Sequence, residues 1–274
     1  MTIMNQFSNL LEIDQEQAFN LIKFFIKSKQ NLFLFGRRGI GKTQLILQAA
    51  KECGVNVNYI NLSVIERPDL AGYPDMLANT DVVTFKSPYY LPAFLENEEP
   101  KNILLFDEVD KASPEITAPL LEILQFKKIN GKRLGIASCI LTSNLLNEGA
   151  FSNQISSALL DRGSKYILSF NFEKWMEWAR ANNLHDLVLG FLYNNQDLVC
   201  SNSDLQYASP SPRAWTLASE ALFKAKDYKI IDSESITQII SGFVGKEAGF
   251  KFKIWYENYK KFDPYVQSLI DYNK

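Results

Sequence analysis

Apolar residues gather in five short runs over the first two thirds of the chain, each closed by polar or turn residues. The runs are "NLFLF" (31–35), "VNVNYINLS" (55–63), "NILLFDE" (102–108), "GIASCILTSN" (135–144) and "KYILSFNF" (165–172). Runs this short, bounded by turn signals, predict strands buried on both faces. Helical spacing fills the gaps between them, notably over 43–53, ending at Gly54, and over 113–126. Ser113-Pro114-Glu115 has the form of a helix entry, an N-cap followed by proline at the first position. Pro119 requires that this helix start later or bend there. Two hairpins interrupt the pattern: "FKKINGKRLGI" (126–136), with Asn130-Gly131 as a two-residue turn, and a shorter one at "DVVTFKSP" (81–88). Strands alternating with helices imply an α/β fold, a five-stranded, mostly parallel sheet between helices.

After about residue 172 the period changes. "FEKWMEWARANNLHDLVLGFLYNNQDLV" and much of 214–274 carry apolar residues at helical spacing, with no strand pattern. The expected organisation is an α/β domain over 1–172 and a smaller all-helical domain over 173–274.

Composition narrows the function classes. A net charge of −2 and a pI near 5.6 give no bulk positive charge for gripping duplex nucleic acid, although a local basic patch is compatible with them. The three cysteines, Cys53, Cys139 and Cys200, are odd in number and far apart, which reads as reduced buried thiols rather than disulfides or a zinc site. His185 is the one histidine, read as a surface residue, so His-based metal sites and a Ser-His-Asp hydrolase are disfavoured. The opening "MTIMNQFSNLLEIDQ" lacks a basic segment followed by a long apolar core, and no run approaches the ~18 apolar residues of a membrane span. A cytoplasmic protein without membrane contact is expected.

The chemistry concentrates in two motifs. "GRRGIGKT" (36–43) fits the phosphate-cradle pattern and sits between a strand and a helix, as that pattern requires. Gly36, Gly39 and Gly41 let backbone amides turn toward phosphate oxygens, and the following helix adds the positive end of its dipole. Lys42 would reach the β- and γ-phosphates, and the Thr43 hydroxyl would ligate Mg²⁺. "NILLFDEVDKA" (102–112) ends an apolar strand in Asp107 and Glu108. A carboxylate at that place holds Mg²⁺ through its water shell, and the next acid can act as general base toward water. Beside a cradle this pair reads as catalytic; alone it would be an acidic turn after a core strand.

Three weaker signals follow. Asn144 ends the strand "CILTSN", placed to orient water. Asp161-Arg162 lies between a helix and a strand, where an arginine is ordinarily a solvated helix end. In "SPSPRAW", Ser211 caps a helix, Pro212 opens it, and Arg213 opposes the helix dipole unless an anion meets it.

In this order the cradle, "LLFDE", "LTSN", "LLDR" and "SPRA" resemble the AAA+ ATPases, and most closely the MoxR type near dynein-like and midasin-like modules. The resemblance covers about residues 10–225. It implies that Gly36, Gly39, Ile40, Gly41, Lys42, Thr43 and Gln44 contact ATP and that Thr43 and Asp107 hold Mg²⁺. It further implies that Glu108 activates water and that Asn144 is sensor 1. Arg162 would be the arginine finger reaching a neighbouring subunit's γ-phosphate, and Arg213 would be sensor 2 on the helical lid. The resemblance also implies a homo-oligomeric ring, a hexamer, in which each site is completed in trans. The two hairpins match the helix-2 insert and the pre-sensor-1 hairpin, which in relatives face the ring axis where a protein client is remodelled. The chain contains no effector domain of its own, so a partner protein is implied, and in some relatives it carries a von Willebrand A domain. A nucleic-acid-directed motor and a non-catalytic ATP-dependent switch are the alternatives. Lys127, Lys128, Lys132 and Arg133 form a basic hairpin, read as a solvated edge, and the aromatic stretch 250–266 reads as packing.

Overall fold

In chain order the first part of the protein runs β1 (Leu11–Ile13), α1 (Gln15–Lys27), β2 (Leu32–Gly36), α2 (Lys42–Cys53), β3 (Asn56–Asn61) and α3 (Arg67–Ala71). It continues through β4 (Tyr73–Pro74), β5 (Phe85–Lys86), β6 (Asn102–Asp107), α4 (Thr117–Phe126), β7 (Lys128–Ile129) and β8 (Lys132–Arg133), and closes with β9 (Ile136–Ser143), α5 (Ser157–Leu160) and β10 (Ser164–Leu168). The computed structural model describes residues 9–77, 83–145, 155–200, 208–228 and 232–272, with side chains described up to 261 in the last helix. The chain forms two compact units: one spans the residues up to Arg37 together with Lys42–Ser169, the other Arg38–Gly41 together with Phe170–Lys274.

In the first unit, six strands pair in one parallel sheet of order β1-β10-β2-β9-β6-β3. The five apolar runs supply β2, β3, β6, β9 and β10. The sixth strand, β1, is an edge of three residues in which Leu11 is exposed and only Ile13 is buried, too little pattern to predict. Alternation through the central strands divides the core. Phe33, Phe35, Leu104, Phe106, Cys139 and Leu141 join the cluster that includes α4 residues Leu120, Ile123 and Leu124. Their alternate neighbours Leu32, Leu34, Ile103, Leu105 and Ile140 are equally buried, and Ala18, Ile22, Ile46 and Ala49 of α1 and α2 are buried with them. Because every strand of this sheet is parallel, the carboxyl ends of β2, β9 and β6 lie along one edge. That edge is where ligands bind in open α/β sheets.

Local chemistry sets the element ends. α1 opens on a capping box: Gln17 N–H donates to Asp14 Oδ1 at 2.9 Å, and Asp14 N–H to Gln17 Oε1 at 3.0 Å. A 3₁₀ turn, Pro114–Ile116, precedes α4, which begins at Thr117. Pro119 therefore falls in the first turn of α4, where its missing N–H removes no internal bond.

The 126–136 hairpin forms as expected, whereas the 81–88 one needs adjustment. β7 and β8 pair antiparallel across Asn130 and Gly131, both at positive φ, and the Glu122 carboxylate accepts the two turn amides at 3.2 Å each. The basic residues there are not merely solvated. Lys127 Nζ donates to the carbonyls of Lys29, at 3.0 Å, and Ala137, and burial lowers its pKa. Lys132 Nζ donates to Phe85 O, and the Arg133 guanidinium lies 4.3 Å from the Phe94 ring centroid. The 81–88 run is one arm only. Its Phe85–Lys86 segment pairs with Tyr73–Pro74, while 81 and 82 lie outside the described residues.

The second unit holds α6 (Phe172–Ala181), α7 (Asp186–Tyr193), α8 (Pro212–Asp227), α9 (Ser233–Val244) and α10 (Lys246–Tyr272), with no strand among its described residues. Its core is aromatic. Phe191 contacts Trp215, Phe252 and Trp255 with ring centroids 5.2–5.8 Å apart, and Trp215 Nε1 donates to Leu198 O at 2.7 Å. Of the aromatic stretch 250–266, Phe252, Trp255 and Tyr256 thus pack inward, whereas Phe250 is exposed and the side chains of 262–266 lie outside the described residues. His185 is not a plain surface residue: its Nδ1 caps α7 by accepting from Leu187 N–H at 3.2 Å, and its ring lies against Phe223. Among the described residues no helix is long and apolar enough to cross a membrane.

Candidate nucleotide-binding site

The cradle follows β2 directly, and α2 begins at Lys42. Gly39 and Gly41 have φ of +74° and +106°, conformations that a side chain disfavours, and a Cβ on Gly41 would meet nothing within 4 Å. The loop thus bends as a phosphate cradle must and is open at Gly41. Ile40 is buried, which anchors the loop, whereas Gln44 on the first turn of α2 is exposed.

Lys42 is 8% exposed, and its ammonium donates to Gly36 O at 2.6 Å, Arg37 O at 3.0 Å and Asn144 Oδ1 at 3.1 Å. The last contact joins the cradle to the end of β9, 102 residues away in sequence. Thr43 Oγ1 stands 3.3 Å from Asp107 Oδ2. That carboxylate, at the end of β6, also accepts from Tyr59 OH at 3.1 Å, from the Thr142 hydroxyl, and from Glu108 N–H at 3.0 Å. Four donors fix the orientation of Asp107.

Glu108 adopts a left-handed backbone, φ +58°, at the start of the 3₁₀ turn Val109–Lys111. A non-glycine residue held there costs about 1–2 kcal/mol, and such strain concentrates at functional positions. The turn swings the Glu108 side chain away from the strand, and its Oε1 accepts from Lys111 Nζ at 2.9 Å. Asp110, 1% exposed, completes the turn: its Oδ1 accepts from Ser143 Oγ at 3.1 Å and from Asn144 N–H at 3.2 Å. Asp110 therefore fixes the backbone of the residue whose side chain receives Lys42.

Lys42, Thr43, Asp107 and Asn144 come together in the first unit. Arg162 lies just past α5 in the same unit, where its guanidinium donates to Ala158 O and to Gln125 Oε1. Arg213 is in the second unit near the start of α8, behind the Ser211 cap. Its backbone N–H donates at 3.1 Å to the carbonyl of Gly39, which clusters with that unit. Tyr59, Asp110 and Thr142 were not foreseen. Asp110 carried the only signal, an acid three residues after Asp107 in "DEVD"; the other two look like ordinary strand residues.

The residues present fit a magnesium nucleotide. A hydroxyl and a carboxylate are the hard oxygen donors Mg²⁺ takes, and a loop at a helix N-terminus with a buried lysine suits phosphate.

Part of the chain is similar to a known family, and its fold has more distant likenesses among solved structures. The family described as AAA domain (dynein-related subfamily) matches residues 31–162. The Thermotoga maritima RuvB Holliday junction branch migration motor is 14% identical, with a TM-score of 0.49 over 83% of this chain and 66% of that one. A protein of Cytophaga hutchinsonii is 16% identical, with a TM-score of 0.47 over 88% and 84%. The chain thus spans just under two thirds of the RuvB chain it resembles. Residues 31–162, just under half of the chain, are thus similar to the AAA domain of the dynein-related subfamily.

Proposed function

We propose that the chain is a MoxR-type AAA+ ATPase that hydrolyses ATP with Mg²⁺ in a homo-oligomeric, hexameric ring in the cytoplasm. Its task would be to remodel a protein partner, such as one bearing a von Willebrand A domain. The observation that carries the reading is the convergence of Lys42, Thr43, Asp107 and Asn144 within 3.3 Å contacts at the carboxyl edge of the sheet. Lys42 would bind the β- and γ-phosphates, with Thr43 and Asp107 holding the metal. Bound Mg²⁺ supplies charge neutralisation on the phosphate oxygens. Glu108 accepts the proton of the attacking water, and Asn144, its backbone fixed by Asp110, orients that water. Arg162 serves a neighbouring protomer, and Arg213 reports the state of the nucleotide to the helical unit.

The intramolecular contacts of Lys127, Lys132 and Arg133 favour a protein client over nucleic acid, because they occupy most of the basic hairpin's charge. Glu108→Gln tests the catalytic assignment. The variant should bind nucleotide as wild type does and lose about 100-fold or more in turnover, the scale of general-base catalysis. Undiminished hydrolysis would overturn it.

A further inference from the structure

We propose that Gln125 is a positioning residue for Arg162, holding its guanidinium folded against its own protomer until the arginine is drawn toward an anionic phosphate across a subunit boundary. The inference rests on the reading of Arg162 as an arginine that acts in trans.

The base and the tip of this arginine are held differently. Asn31, 9% exposed, fixes the base. Its Nδ2 donates to Arg162 O at 3.0 Å and to Leu124 O at 2.8 Å, and its Oδ1 accepts from Cys139 N–H at 3.1 Å. One buried amide thus ties the Arg162 backbone to the last turn of α4 and to β9. The tip is held by neutral groups only: Nη1 donates to Ala158 O, and Nη2 donates to Oε1 of the exposed Gln125 at 2.9 Å. Nε is buried and makes no hydrogen bond. A guanidinium is built to present its donors to an anion in a planar fork. In this pose the Nε donor is wasted in a dry position and the two hydrogen bonds of the tip go to uncharged acceptors, so the fold-back is weakly held. The base cannot move without breaking the Asn31 brace, whereas the tip needs only to leave Gln125 and Ala158.

Gln125 also sits at the far end of α4 from the Asp107–Asp110 segment, which leads into that helix through the 3₁₀ turns. A shift of α4 would therefore move the acceptor of Arg162.

Two substitutions of this exposed residue should act in opposite directions. Gln125→Ala removes the acceptor and frees the tip. Gln125→Glu replaces a neutral acceptor by a carboxylate and tightens the hold. Assembly of the full chain with a non-hydrolysable ATP analogue, followed by mass photometry, reads the effect without turnover. The alanine variant should assemble at about fivefold lower concentration, equivalent to the ~1 kcal/mol of one neutral hydrogen bond. The glutamate variant should need about fivefold more, and kcat should follow the same order with nucleotide KM unchanged. The double variant Gln125→Ala/Arg162→Ala should match Arg162→Ala, because Gln125 acts only through Arg162. Shifts in the same direction for alanine and glutamate, or no shift, would overturn the positioning role while Arg162→Ala still lowers assembly and turnover. If Arg162→Ala leaves both at the wild-type level, the trans reading itself falls, and the proposal with it.

Discussion

Truncating Asp110 should loosen the site without unfolding the protein. Its carboxylate is buried and its Oδ1 accepts from Ser143 Oγ at 3.1 Å and Asn144 N–H at 3.2 Å. Hydrogen bonds to a charged group contribute about 1.5–3 kcal/mol each. Both bonds are longer than the ~2.7–2.9 Å of a strong charge-assisted contact, so the lower end applies and the pair contributes about 3 kcal/mol. Removing a buried anion also recovers part of its desolvation penalty. Asp110→Ala should therefore cost roughly 2 kcal/mol, and Asp110→Asn, which keeps an acceptor oxygen, about 1 kcal/mol or less.

The assay must report on the first unit alone. Trp175, Trp178, Trp215 and Trp255 are all the tryptophans of the chain, and all lie in the helical unit. Their fluorescence serves as an internal control that should not change. Native-state hydrogen exchange of the β6 and β9 amides reads the perturbed unit, and a 2 kcal/mol loss corresponds to roughly 30-fold faster exchange. Turnover should fall as well, because Asn144 loses the anchor that aims its side chain at Lys42. Exchange accelerated less than threefold in the alanine variant, or an asparagine variant as damaged as alanine, would refute this account of Asp110.

Two further outcomes concern the helical unit, where tryptophan fluorescence is the direct readout. A Cβ on Gly249 would come within 2.0 Å of Ser241 Oγ and 2.8 Å of its Cα, whereas one on Gly242 would meet nothing within 4 Å. Gly249→Ala should therefore lower stability by about 1–3 kcal/mol through overpacking, and Gly242→Ala should raise it by up to ~1 kcal/mol through helix propensity; equal effects would sink the close-packing argument for α9 against α10. Burial holds the pKa of His185 below its ordinary 6.5, with Asp186 opposing the shift and Lys226 adding to it. The unfolded chain then binds the proton more readily, so this contribution to stability is complete above pH 6.5 and declines as the pH falls toward the folded-state pKa. His185→Asn keeps a capping side chain without the titration, and its denaturation midpoint should vary less than wild type between about pH 7 and 5; parallel profiles would exclude His185 as the source.

What the sequence discloses and what it hides follow from the reach of each interaction. Strands buried on both faces must be apolar throughout, so β2, β6 and β9 announce themselves, and the cradle announces itself because only certain residues tolerate its dihedrals. β1 needs a single buried side chain, Ile13, and leaves no period to detect. The site's inner supports are the harder case. Asn31, Asp110 and Tyr59 look like a strand flank, an acidic turn and an ordinary strand position. Their partners lie up to 131 residues away, joined only when β9 inserts between β2 and β6. That insertion gives the architecture its chemical consequence. Asn144, just past the end of the middle strand, meets Lys42 from the β2 side through its side chain, and Asp110 from the β6 side through its backbone. Lys42, Asn144 and Asp110 thus form one chain of contacts, and the turn after β6 joins Asp110 to the start of α4. The far end of α4 is the place where Gln125 meets Arg162. One strand end, one buried carboxylate and one helix thus lie in contact between the cradle and the arginine, and each contact can be removed by a single substitution.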